Sequence, residues 1–306
     1  MAENQIQTNV LTPAQQNITN FKKMVDGNYV QHQLKQVLKE NAGTFATSLM
    51  EVYTNDKQLQ TCEPKLVIQE AIKAASLKLP LNKQLGYGYV VVYNNYDKVS
   101  RQKIPTPTLV IGYKGYIQLA MRTGQYRNIN SGIVFEGELR NTDKLTGAID
   151  LSGDKLSEKV EGYFAHFELI NGFRKTLYMT TEEMANYALK YAPVFLGKDA
   201  PTVDNIIDMA QSQAQNGPVR GLVGWKGDFN SMAQKTVLRR LLSKYGFLSI
   251  EMMNAMAEDE QVTAEEIRNE DNASPKKVFN ASQIMQDAED TEATEIKEET
   301  TEQPPI

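Results

Sequence analysis

VEGYFAHFELINGFRKTLYMT, residues 160–180, decides the fold class. Apolar and polar residues alternate on both sides of Asn171-Gly172, over Val160–Ile170 and Phe173–Thr180. A period of two sends successive side chains to opposite faces of a strand. Asn-Gly favours the type I′ turn, whose twist matches two antiparallel strands. The stretch therefore predicts a β-hairpin, which needs no crossover helix. Thr180 and Glu183 then form a capping box that opens a helix through about Tyr191.

Upstream, Asn128–Phe135 reads as a strand and Tyr113–Arg122 as a helix. In Tyr87–Tyr93 the tyrosines Tyr87, Tyr89 and Tyr93 alternate with Gly88, Val90 and Val92, so this is a strand. Thr108–Ile111 follows Pro105 and Pro107 and pairs with it in a hairpin whose charged tip holds Lys98, Arg101 and Lys103. Earlier segments are helical. Pro64 suits the first position of a helix over residues 64–78, and residues 29–53 form two helices or one kinked at Gly43. Downstream, residues 204–215 and 228–245 are helical. Helices, then strands, then helices indicate an α+β fold with a helical N-terminal part. The boundaries are a flexible N-terminal lead at 1–28, a folded core at 29–257 and a disordered acidic tail at 258–306.

The net charge of −5 conceals a division. Residues 1–250 carry 29 Lys and Arg against 22 Asp and Glu, a balance of +7; residues 251–306 carry 4 against 16, a balance of −12. A basic body points to a polyanion, because Lys and Arg that neutralise phosphates release condensed counterions. No apolar run approaches a membrane span, and the first residues show no secretory signal. The lone Cys62 has no internal disulfide partner, which fits a reducing cytosol. With only His32 and His166, His-rich metal sites are excluded. The phosphate-cradling loop of ATP-driven motors is missing, as are Gly-x-Ser-x-Gly, Cys-x-x-Cys and a Cys/His nucleophile pair. Glu136, Glu138, Asp143 and Asp150 read as surface-loop carboxylates rather than ligands of a divalent ion.

Two segments carry interleaved cations and aromatics. Thr108–Arg127 places Tyr113, Lys114, Tyr116, Arg122, Tyr126 and Arg127 around a strand-to-helix turn, with Lys114 one residue from Gly115 and two from Gly112. Seven of the fourteen tyrosines lie between residues 87 and 126, so aromatic faces able to stack on bases stand beside cations able to track a backbone. In Asp228–Tyr245, Lys235 and Arg239 stand four apart on one ridge, and Arg240 and Lys244 on the next. The bland alternatives are core tyrosines and a solvated helix face. Trp225, beside Lys226, reads as a core anchor with base stacking as the alternative.

Three stretches resemble the RecT family of phage single-strand annealing proteins: Leu77–Tyr93 (LKLPLNKQLGYGYVVVY), Leu109–Tyr126 (LVIGYKGYIQLAMRTGQY) and Trp225–Ile250 (WKGDFNSMAQKTVLRRLLSKYGFLSI). They keep family order and span most of residues 30–255. The resemblance implies an ATP-independent recombinase without bond chemistry or cofactor, leaving room for a non-specific dependence on Mg2+. It implies a Rad52-like core, in which a curved antiparallel sheet packs on a long helix. Single-stranded DNA and the annealed duplex would lie in a groove along a homo-oligomeric ring or helical filament. It implies work in the cytoplasm of a bacterial host, with a phage exonuclease and the host single-strand binding protein as partners, the tail as their hook, and no membrane. The DNA-binding residues expected from the motifs are Lys98, Arg101, Tyr113, Lys114, Tyr116, Arg122, Arg127, Lys226, Lys235, Arg239, Arg240 and Lys244. A passive single-strand-coating protein shares these features and is the alternative.

Overall fold

The structure, a computed structural model, describes residues 13–97, 101–196 and 199–257. The acidic tail at 258–306, the hairpin-tip residue Lys98 and the first twelve residues lie outside the described residues. The chain opens with helices α1 (Pro13–Val25), α2 (Asn28–Leu38), α3 (Ala42–Asn55) and α4 (Pro64–Ser76). The expectation of a flexible lead through residue 28 fails over α1. Its Gln/Asn-rich composition conceals Ile18, Phe21 and Val25 on one face, and Phe21 is buried with its ring stacked 3.7 Å from that of Tyr53. The break between α2 and α3 is also displaced. Gly43 sits inside α3, and the chain turns instead at Lys39, which takes φ 52° and starts a 3-10 turn over Lys39–Asn41. Pro64 occupies the first turn of α4, where its missing N–H costs no helical hydrogen bond.

Strands β1 (Gly88–Asp97) and β2 (Gln102–Ile111) form an antiparallel hairpin. β2 begins six residues before the expected Thr108 and runs through Pro105 and Pro107, which an edge strand tolerates. Helix α5 (Tyr113–Arg122) follows. Next come β3 (Tyr126–Phe135), the short pair β4 (Asn141–Thr142) and β5 (Ile149–Asp150), and β6 (Val160–Leu169) and β7 (Arg174–Thr180). β3, β6 and β7 form an antiparallel sheet with β6 in the centre. The 160–180 hairpin exists, but its turn is not type I′. The Gly172 amide donates to the Leu169 carbonyl, the Leu169 amide donates to the Phe173 carbonyl, and Gly172 alone has positive φ, 85°. That is a three-residue loop ended by a left-handed glycine. Asn171 keeps an ordinary φ because its carboxamide oxygen accepts from the Phe173 amide.

Helices α6 (Thr181–Tyr191), α7 (Val203–Asn216), α8 (Gly224–Gly227) and α9 (Phe229–Tyr245) complete the described order, and residues 250–257 are again helical. The Thr180–Glu183 capping box forms as expected, and a second, Thr202–Asn205, opens α7. α9 lies against one face of the sheet, where Tyr163, Ala165 and Phe167 of β6 meet Phe229, Ala233, Val237 and Leu241. A buried chain of hydrogen bonds locks this layer: Tyr163 Oη donates to Asn230 Oδ1 at 2.7 Å, and Asn230 Nδ2 donates to the Ala210 carbonyl. A second apolar cluster holds α1–α4 together. The two meet along Leu77–Leu81, with Leu77 and Leu79 in the sheet cluster and Leu81 in the helical one. The architecture is the expected α+β, an antiparallel sheet on a long helix behind a helical N-terminal part.

Candidate nucleic-acid interface

The turn from β2 into α5 is built on close backbone approach. The Gly112 amide donates to the Tyr87 carbonyl at 3.0 Å. A Cβ on Gly112 would lie 2.2 Å from the Gly86 carbonyl oxygen, and one on Gly115 would lie 2.1 Å from the Tyr87 carbonyl oxygen. Only glycines let the first turn of α5 lie this tightly on residues 86–87. The turn leaves Lys114 exposed, its aliphatic stem passing Gly86 next to the Tyr89 hydroxyl. Burial pushes the Tyr89 hydroxyl up from its ordinary pKa, with Asp228 and Tyr113 adding to the rise. Tyr89 therefore stands where the β1 hairpin, the start of α5 and the start of α9 converge. The first turn of α5 contains no acid, so its unpaired N–H groups keep their partial positive charge.

Several expected contacts have other duties. Tyr116 is fully buried and belongs to the core, so it has no face to offer a base. Arg122 donates from its two terminal nitrogens to the carbonyls of Leu77 and Lys78, at 2.6 and 2.9 Å, tying the end of α5 to the end of α4. Arg127 pairs with Glu168 at 3.1 Å and donates to the Ile170 carbonyl, fastening β3 to β6. Arg101 is exposed beside the hairpin tip with φ 54°. Tyr113 is half-buried.

Helix α9 breaks up the ridge read from its sequence. Lys235 is buried with its ammonium 5.9 Å from the centre of the Tyr116 ring. Arg239 is half-buried, whereas Arg240 and Lys244 are exposed. The difference arises because α9 is enclosed on most sides of its first three turns, where Asn230 and Thr236 are buried as well. Lys244 lies 5.2 Å from the ring centre of Tyr245. The Arg240 guanidinium lies 5.5 Å from that of Tyr187 and donates to the Met179 sulfur. It opens onto a shallow groove of about 560 Å3 whose walls include Tyr178, Tyr187, Lys190 and Tyr191.

The sequence reading passed over Tyr187, Lys190 and Tyr191, which α6 presents to this groove. Tyr187 and Tyr191 stand one turn apart with ring centres 4.7 Å apart, and the Lys190 ammonium lies 5.2 Å over Tyr191. The signal was there as a Tyr-x-x-Lys-Tyr run, masked by an ordinary amphipathic helix. Trp225 lies beside Tyr187. It is half-buried, its ring 6.5 Å from Tyr187 and 5.1 Å from Phe229, so it anchors α8 on the core while its neighbour Lys226 stays exposed. Lys114, Lys226, Arg240 and Lys190 are all exposed, and the rings of Trp225, Tyr187 and Tyr191 follow one another beside Arg240 and Lys190.

The loop carboxylates are engaged locally. Glu136 accepts from Ser157, Glu138 from the Phe135 amide, Asp143 from the Leu145 amide and Thr146, and Asp150 from the Ser152 amide. The last three are local turn-capping bonds, whereas the Glu136–Ser157 bond joins two loops. Among the described residues no helix is long and apolar enough to cross a membrane.

Comparison with known proteins agrees with the motifs. The model of the RecT family matches residues 43–275. The uncharacterized protein YqaK of Bacillus subtilis (strain 168) is 36% identical over 250 residues, covering 81% of this chain and 75% of that protein. Protein RecT of Escherichia coli (strain K12) is 26% identical over 208 residues, covering 66% of this chain and 65% of RecT. The matched span runs from the start of α3 past the end of α9 and takes in the β1–β2 hairpin, the α5 turn and the groove beside Arg240, so the chain belongs to the RecT family, whose general role is single-strand annealing in DNA recombination.

Proposed function

We propose that this protein is an ATP-independent annealing protein of homologous recombination that binds single-stranded DNA, pairs it with a complementary strand and retains the duplex, with no bond made or broken in the DNA. The observation that carries the reading is the set of exposed cations Lys114, Lys226, Arg240 and Lys190, the last two standing over tyrosine rings of α6. Cations spaced along a path neutralise phosphates, and aromatic faces hold bases out of self-structure at about 1–3 kcal/mol per base. Contacts to phosphate carry no sequence information, so the second strand is selected by base pairing alone. Few nucleotides fit one protomer, and a homo-oligomer, ring or helical filament, lengthens the grip. Arg101, Tyr113, Arg239 and Lys244 flank this path and add to it. Arg122, Arg127, Tyr116 and Lys235 act by holding its frame.

The tail follows as a second element of the reading. The balance of −12 over residues 251–306 suits a hook for recombination partners, an exonuclease and a single-strand binding protein, and a competitor for the basic path. Removal of residues 258–306 should then leave DNA binding as tight or tighter while partner-dependent recombination in cells falls. The reading places the protein in the bacterial cytoplasm, with no nucleotide cofactor.

Sequential addition of two complementary oligonucleotides tests the proposal. Without ATP, the protein should accelerate their pairing and remain bound to the product. Release of the duplex, with single strands still bound, would identify a passive coating protein instead.

A further inference from the structure

The loop that joins α7 to α9 exposes apolar side chains on a fixed frame. Residues 217–227 read GPVRGLVGWKG, and within them Val219 is 44%, Leu222 52% and Val223 63% exposed. None of the three joins either apolar cluster of the described residues. Pro218, Arg220, Gly221 and Gly224 around them are exposed as well. A single exposed apolar side chain is ordinary, whereas several together on one loop mark an interaction surface.

Hydrogen bonds hold the loop in one shape. The Val219 amide donates to the Gly227 carbonyl at 2.8 Å and closes the two ends. The Leu222 amide donates to the Val219 carbonyl at 3.3 Å, and Gly221 takes φ 81°. Val219–Leu222 is therefore a type II turn with Arg220 and Gly221 at its centre. A Cβ on Gly227 would lie 2.4 Å from the Leu222 carbonyl oxygen, so the tip folds back tightly onto the base of the loop. Buried Gln213 of α7 donates to the Lys226 carbonyl at 3.0 Å and accepts from the Phe229 amide at 2.6 Å, which fixes that base between α7 and α9. The backbone freedom of the tip is thus lost on folding rather than on binding a ligand.

Charge selects what covers the tip. Residues 209–227 contain no Asp or Glu, while Arg220 stands at the tip and Lys226 at the base, both exposed. An apolar protein surface laid over the tip would desolvate the Arg220 guanidinium with no carboxylate to meet it. A polyanion that offers apolar faces between its charges satisfies both kinds of side chain, and single-stranded DNA is such a ligand. We infer that this loop is a wedge: Leu222 enters between two successive bases of the bound strand and interrupts their stacking, and Arg220 meets a neighbouring phosphate. Leucine is among the side chains that part base steps in this way. Val223, beside it, packs on the displaced base. A strand parted at one step per protomer cannot stack continuously on itself, which keeps its bases open to a complement. The inference rests on the DNA-binding reading above and adds to it apolar residues which that reading does not use.

A single-stranded oligonucleotide carrying several 2-aminopurine bases tests the wedge, because stacking quenches the fluorescence of that base. Saturating protein should raise the emission. Leu222→Ser should lose most of that rise while anisotropy shows the oligonucleotide still bound with an unchanged salt slope. Leu222→Met, equally apolar, should keep the rise. Arg220→Ala should keep most of it and reduce the slope of log affinity against log salt by about 0.7. Circular dichroism checks the fold of each variant, and Val223→Ser, with a smaller loss expected, serves if Leu222→Ser does not fold. A full rise with folded, DNA-bound Leu222→Ser, or with Val223→Ser in its place, overturns the inference. So does a Leu222→Ser whose only change is a lower molar mass by light scattering, which would assign the loop to a contact between copies. If the unsubstituted chain binds the oligonucleotide without raising its emission, this inference alone fails. If it binds no oligonucleotide, the functional reading fails with it.

Discussion

The α5 turn and helix α9 carry the same kinds of residue and use them differently. At the turn, glycines bring two backbones together and leave Lys114 outside. In α9, the sequence places four cations on adjacent ridges, yet the fold buries Lys235, half-buries Arg239 and exposes Arg240 and Lys244. A short turn at the surface has few neighbours to hide its side chains. A helix laid across a sheet and flanked by α5, α6 and α7 is enclosed along most of its length. Cation spacing therefore identified a solvent-facing residue in the first region and mixed buried and solvent-facing residues in the second.

The sharpest way to break this comparison is at the glycines. Gly115→Ala should push α5 off residues 86–87 and destabilise the fold by about 3 kcal/mol, read from chemical denaturation. A loss below about 0.5 kcal/mol would mean that the close approach has slack. In α9, Lys235→Ala should cost about 2 kcal/mol through the lost packing of its buried stem. Arg240→Ala should stay within about 0.5 kcal/mol of the unsubstituted stability and still weaken single-strand binding. Replacing Lys235, Arg239 and Arg240 together would confound the two effects, so the single variants are the informative ones.

A second pair contrasts Arg122 with Lys114. Arg122→Ala removes two bonds to the carbonyls of Leu77 and Lys78, just past α4, and should cost about 1 kcal/mol with the salt dependence of binding unchanged. Lys114→Ala should leave thermal stability alone and reduce the slope of log affinity against log salt by about 0.7, the single-strand value for one phosphate. Fluorescence anisotropy across a salt series distinguishes them, and equal slopes for Lys114→Ala and the parent would remove Lys114 from the path.

The smallest effect concerns acid stability. Burial raises the Asp56 pKa, but Lys83 at 2.6 Å and the backbone amides of Leu59 and Gln58 outweigh it, and the net shift is downward from 3.8. Stability from this depressed carboxylate is present in full above 3.8 and is lost as the pH falls below it. Lys83 is half-exposed, so solvent screening holds the contribution well under about 1 kcal/mol. Asp56→Asn should flatten the acid limb of the unfolding curve slightly and leave neutral stability nearly unchanged.

Local pattern made much of the fold legible. The strand alternations of β1 and β6, Pro64 at the start of α4, the Thr180 capping box and the span of α5 all follow from interactions within a few residues. Features that depend on distant neighbours were not legible. α1 looked like solvent-exposed chain until Phe21 met Tyr53, thirty-two positions away. The halt at Lys39 and the type of the 170–172 turn were set by how the flanking elements must meet. The site divides in the same way. Lys114, Lys226 and Arg240 could be named from spacing, but Tyr187, Lys190 and Tyr191 needed α6 to be laid beside α9.

By itself, the sequence determined the α+β class, the charge division between body and tail, and the motifs of the family. Periodicity, turn chemistry and composition act over short range and need no knowledge of the partner surface. Only the tertiary structure decided which cations face solvent and which arginines hold carbonyls. Those outcomes depend on burial and on where unpaired backbone groups point, and both are set by segments far apart in the chain.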